Sequence, residues 1–150
     1  MESSERVQGS QKNIDSELQE LVFWVEKQDA ELGITLLVKG LVVFGVMISG
    51  KSYFEGLAET VANASGDQES RELARARFIN KGEEYRLIVE ESNNYRDLVY
   101  IHLKDAQFPA VLKILRDSSN FWRIKIEEVD GFSIGFPIML EDLERTIPRF

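Results

Sequence analysis

The sequence predicts an α+β fold: a small antiparallel β-barrel, or strongly bent sheet, of about five strands. An N-terminal helix precedes the sheet, and a helical excursion separates its second and third strands. Three observations carry this reading. An amphipathic stretch follows a polar lead-in. Two runs rich in β-branched and aromatic residues, 33–49 and 121–136, alternate at the period of a strand. Between them, residues 51–79 change to helical spacing, and a further alternating run at 97–108 returns to strand.

The first helix is expected over 16–31. Ile14, Leu18, Leu21, Val22 and Val25 recur at helical spacing and give one apolar face. Ser16 and Gln19 are spaced for a capping box, in which hydroxyl and amide each satisfy an orphan N–H. Gly33 is placed to end the helix, because glycine accepts the left-handed conformation found there. Phe23 and Trp24 sit off the centre of the apolar face, placed to cover strands or to form a contact surface.

GITLLVKGLVVFGVMIS reads as a hairpin turning at Lys39-Gly40. Both faces of its arms are apolar, so it needs cover on two sides, from a curled sheet and from a helix. Gly45 within its second arm allows bending or close packing. Phe54, Leu57, Ala58 and Val61 then share a helical face, with Ser49 or Ser52 as its cap. ASGDQ interrupts, and RELARARFI forms a second helix. EEYRLIVEE suits either strand or helix. The Ser92-Asn93-Asn94 group marks a loop.

DLVYIHLKDAQF alternates as a strand and either stops or bulges at Pro109, which has no N–H to give a ladder. FWRIKIEEVDGFSIG reads as two strands joined at Asp130-Gly131, with Trp122, Ile124 and Ile126 on one face. A short helix or ordered surface segment closes the chain before Pro148. Helix, hairpin, helical excursion, strand and hairpin together form the layout of a Sm-like or SH3-like barrel. An open antiparallel sheet with helices on one face is the rival layout.

A chain of 150 residues that is 43% hydrophobic can bury the core of one domain. Residues 1–13 read as a flexible N-terminus and 14–150 as a single α+β domain. The net charge of −8 disfavours nucleic acid and anionic membranes, which demand a concentrated basic surface. Without cysteine there are no disulfides, thiolate metal sites or cysteine nucleophiles, which fits a reducing cytoplasm. The longest apolar run, LVVFGVMI, is too short for a membrane-spanning helix.

No catalytic constellation emerges. His102, the single histidine, has no nucleophile motif beside it and reads as a strand residue on a polar or edge position. Asp105, Glu127, Glu128 and Asp130 are the acidic candidates, and three of them cluster at one strand end and its turn. Gly40, Gly45, Gly50 and Gly56 lack the spacing of a phosphate-binding loop. Arg71, Arg75 and Arg77 lie among Asp67, Glu69 and Glu72, as on a solvated, self-paired helix face. No cofactor or metal ligand set is nominated. The aromatics remain: core packing accounts for most, and a few suit an interface centre.

GITLLVKGLVVFGVMISGKSYFEGL, YIHLKD and FWRIKIEEVDGFSIG, in that order, resemble the gas vesicle accessory protein U (GvpU) family. The matching pieces cover roughly a third of the chain, and their order is more specific than any one of them. The resemblance implies a non-enzymatic, cytoplasmic accessory that contacts gas vesicle shells or assembling vesicle proteins, with self-association as a homo-oligomer. Phe23, Trp24, Phe121, Trp122 and Arg123 are the residues expected to make protein contacts. The alternative is a Sm-like nucleic-acid-binding domain or a general oligomeric adaptor.

Overall fold

A computed structural model describes residues 13–109 and 120–137. Residues 1–12 of the expected flexible lead-in, the stretch 110–119, and the expected closing short helix or ordered surface segment lie outside the described residues.

The first helix, α1, spans Ser16–Gln28. Its cap corrects the expected Ser16–Gln19 box. The Asp15 carboxylate accepts from the backbone N–H of Glu17 at 2.9 Å and of Leu18 at 3.3 Å. A carboxylate serves well here because it also meets the positive end of the helix dipole. Gln19 turns inward instead, its amide donating to the Leu98 carbonyl at 3.5 Å. The helix stops at Asp29, which takes the left-handed conformation (φ 48°), and not at Gly33.

Strands β1 (Leu32–Val38) and β2 (Leu41–Ile48) form the expected hairpin. Lys39 and Gly40 have φ of 49° and 82°, the paired positive values of a tight type I′ turn. The excursion that follows is a helical hairpin of α2 (Gly50–Ala64) and α3 (Gln68–Glu91), packed against each other. Of the two candidate serines, Ser49 caps α2, accepting from Ser52 N at 3.1 Å. The buried residues of α2 are Gly50, Tyr53, Ala58 and Ala62, so the face is rotated from the expected one. Phe54, Leu57 and Val61 are half-buried at its margin. The ambiguous EEYRLIVEE belongs to α3, where Arg86 pairs with Glu83 and Glu90 one turn to either side.

After a 3-10 turn at Tyr95–Asp97 come β3 (Tyr100–Gln107), β4 (Trp122–Lys125) and β5 (Val129–Ile134). The antiparallel sheet runs in the order β4-β3-β2-β1-β5 and curls into a half-barrel. This order corrects the reading of 121–135 as a hairpin. β4 and β5 lie at opposite edges, and Gly131 sits inside β5 opposite Leu37. The turn is a 3-10 segment at Ile126–Glu128. Ile126 is buried and its N–H reaches the Val99 carbonyl at 2.8 Å, which pins the corner and sends the chain across to β1. Asp130 does something else locally. Its carboxylate accepts from Lys39 N at 2.8 Å and holds the β1–β2 turn.

Register divides the sheet into two faces. Ile34, Leu36, Val43, Met47, Ile101 and Leu103 turn toward α1 and close on Leu18, Val22 and Val25. His102 points the other way, beneath α2 and α3. It is fully buried on an interior strand, which corrects the expected polar or edge position. β3 alternates as its sequence predicts, but only the helical hairpin decides that its second face is dry.

Candidate functional site

Two arrangements stand out, one buried and one exposed. The buried one begins with Glu26, a charged residue on the apolar stripe of α1, next to Val22 and Val25. Its carboxylate oxygens accept from the Gly50 N–H at 3.0 and 2.9 Å, at the first turn of α2. Oxygen Oε1 also faces His102 Nδ1 at 3.2 Å. A carboxylate only accepts, so Nδ1 carries the hydrogen and Nε2 is the bare acceptor nitrogen. Among the described residues Nε2 has no hydrogen-bond partner.

The rings of Tyr53, Phe54 and Tyr85 box the imidazole, with centroids 4.8, 6.3 and 5.2 Å away. Burial pushes the His102 pKa down, the Glu26 hydrogen bond opposes this, and the Arg123 charge adds to the fall. Burial also raises the Tyr53 and Tyr85 phenols above their ordinary range. Beside this pair, Asp29 accepts from Ser49 and, at 3.2 Å, from Ser52. The cluster thus ties the end of α1, the start of α2 and the centre of β3 into one polar joint. Its imidazole is fully buried among these elements.

The exposed arrangement involves the residues expected to make contacts. Trp24 is 49% exposed on the outer side of α1, whereas Phe23 packs at the rim of the core with Lys27 Nζ 5.2 Å from its ring. Phe121 is half-buried between Tyr53 and Gly56, where a Cβ would collide with its ring. Trp122 stacks edge-on against Phe108 at 4.6 Å. The two rings line an apolar groove of 320 Å³ with Val38, Leu41, Val43 and Ile124. Arg123 is exposed on the opposite face, its guanidinium 3.6 Å from the Tyr100 ring centre and 5.8 Å from that of Phe54.

The five residues therefore do not share one surface. Trp122 and Arg123 lie on opposite faces of an edge strand, Phe121 wedges under α2, and Trp24 stands alone on α1. Sequence reasoning missed Glu26. Its signal was available: a carboxylate at helical spacing among Leu18, Val22 and Val25 requires a buried partner.

Together these features define a curled five-stranded sheet carrying a helical hairpin between β2 and β3, with apolar surface left exposed on several elements. A family model described as "Gas vesicle protein GvpU-like" matches residues 15–137, and the chain belongs to that family. The match takes in every described helix and strand. No curated protein and no solved structure matches the chain. Among the described residues, no helix is long and apolar enough to cross a membrane.

Proposed function

We propose that this protein is a non-catalytic gas vesicle accessory protein. It acts in the cytoplasm, contacts vesicle shells or assembling vesicle proteins through protein–protein contacts, and self-associates. The observation that carries the reading is the family match over 15–137. Geometry supports the mode of action. The single histidine is sealed in a structural joint, while Trp24, Leu37, Leu41 and Val42 are each between 42% and 49% exposed.

Among the described residues the sheet has two edge strands, β4 beside Trp122 and Arg123, and β5 beside the β1–β2 hairpin. Unpaired edges and exposed aromatics are common means of protein association. Net charge of −8 keeps such a surface soluble, so contacts between copies depend on local rather than overall charge complementarity.

The test is flotation. Purified protein is added to buoyant gas vesicles, the vesicles are floated by gentle centrifugation, and the floating layer is assayed. Saturable recovery with the vesicles is expected, and Arg123→Glu or Trp24→Ala should reduce it. Recovery of none of the protein in that layer would sink stable shell attachment and move the search to soluble assembly partners.

A further inference from the structure

The α2–α3 hairpin carries an open groove of 380 Å³ lined by Val61, Leu73, Ala74, Arg77, Phe78 and Lys81. Leu73 is 66% exposed there, and among the described residues no acidic side chain lines the groove. Elsewhere on the hairpin the cations are engaged: Lys51 with Glu55, Arg75 with Glu59, Arg86 with Glu83 and Glu90, and Arg71 with the Ser65 carbonyl. Arg77 and Lys81, one turn apart, make no ion pair among the described residues, and Lys81 Nζ lies 5.0 Å from the centre of the Phe78 ring, at the rim of the groove. An apolar floor with a cationic rim, on a protein of net charge −8, calls for an apolar anchor flanked by carboxylates.

The chain itself carries that counterpart. Leu18, Gln19, Val22, Val25 and Glu26 are the buried residues of α1, which leaves Glu17, Glu20 and Trp24 exposed together on the opposite side. Neither Glu17 nor Glu20 makes an ion pair among the described residues. An exposed tryptophan thus stands beside two carboxylates at one-turn spacing. The hairpin groove offers the matching apolar floor and two cations outside any ion pair.

The two surfaces do not meet within one molecule. Lys27, at the end of α1, donates to the Glu90 carbonyl at 3.0 Å, near the end of α3. Arg77 lies about 20 Å back along that helix at 1.5 Å rise per residue. We infer that α1 of one copy docks head-to-tail in the α2–α3 groove of another, with Trp24 on Leu73 and Phe78 and with Glu17 and Glu20 against Arg77 and Lys81. The contact uses different patches on the two copies, so it propagates into rings or filaments instead of stopping at a two-fold dimer. This rests on the self-association in the function proposed above.

Sedimentation velocity of the full chain over a range of concentrations tests it. The wild type should grow in mass with concentration, and less so in high salt. Trp24→Ala disables the α1 side, and Lys81→Glu disables the groove; each should raise the concentration for association roughly tenfold or more. Both positions are exposed, and circular dichroism should show each variant folded. Mixed together, the two variants retain one good α1 and one good groove, so they should form a heterodimer that grows no further.

Variants that associate like the wild type would overturn this interface while leaving self-association in place. A wild type that stays monomeric at every concentration would overturn both. Weakened variants that fail to form a heterodimer on mixing would overturn head-to-tail docking, as would a monomer whose groove instead takes a vesicle protein helix.

Discussion

His102 Nδ1 lies 3.2 Å from Glu26 Oε1, and neither side chain is more than 2% exposed. Sequence positions 26 and 102 meet because α1 crosses one end of the sheet where α2 begins. The carboxylate bridges an imidazole and a helix N-terminus, so removing either partner leaves a buried polar group unsatisfied.

This pair should make stability depend on pH. The groups around the imidazole are Glu26, Tyr53, Tyr85 and Arg123, and the net effect holds its pKa below the ordinary 6.5. Below pH 6.5 the unfolded chain takes up a proton at this residue that the folded chain refuses. The histidine's contribution is therefore fully present above that value and is lost as pH falls toward the depressed folded pKa. Urea unfolding at about pH 7.5 and about pH 5.5 should show a larger loss for the wild type than for His102→Gln, which keeps a donor but does not titrate. Equal losses would show that the imidazole does not titrate differently on folding.

Glu26 and His102 should also be energetically coupled. A double-mutant cycle of Glu26→Ala and His102→Ala should give an interaction energy of about 0.5 to 3 kcal/mol in urea unfolding. Additive effects would separate the two residues despite their geometry. The Glu26 substitution should be the costlier, since it also abandons the Gly50 N–H.

Gly45 should resist any side chain. A Cβ there would stand 2.9 Å from the Lys104 carbonyl oxygen and 3.1 Å from the Ala106 Cα, both backbone atoms at an irregularity between β2 and β3. Gly45→Ala should cost about 1 to 3 kcal/mol, as overpacking does elsewhere. A melting temperature unchanged from the wild type would show that the strands move apart freely at this point.

Trp122 and Arg123 should behave oppositely although they are neighbours. Trp122 packs on Phe108 and the rim of the core, so Trp122→Ala should cost about 2 to 3 kcal/mol, less than a fully buried aromatic. Arg123→Ala loses an exposed contact over Tyr100 and should cost less than about 1 kcal/mol. Thermal unfolding separates them. Arg123 is then the cleaner probe of binding, because its loss leaves the fold intact.

Local chemistry determined much of the fold before any tertiary contact. The period of Leu18, Val22 and Val25 dictated a helix, and the alternation of 33–49 around Lys39-Gly40 dictated a hairpin, since both follow from neighbours in the chain. The order of pieces also carried the family, which matches residues 15–137. Only the tertiary structure decided what distant residues do to one another. Asp130-Gly131 has the local chemistry of a turn, yet burial of Ile126 placed the corner earlier and sent β5 across the sheet to β1. His102 alternates as an outward residue, and only the packing of α2 and α3 over it made that face dry and tied it to Glu26. Periodicity reports which side of an element a residue takes. Whether water reaches that side depends on elements far along the chain, which local spacing does not encode.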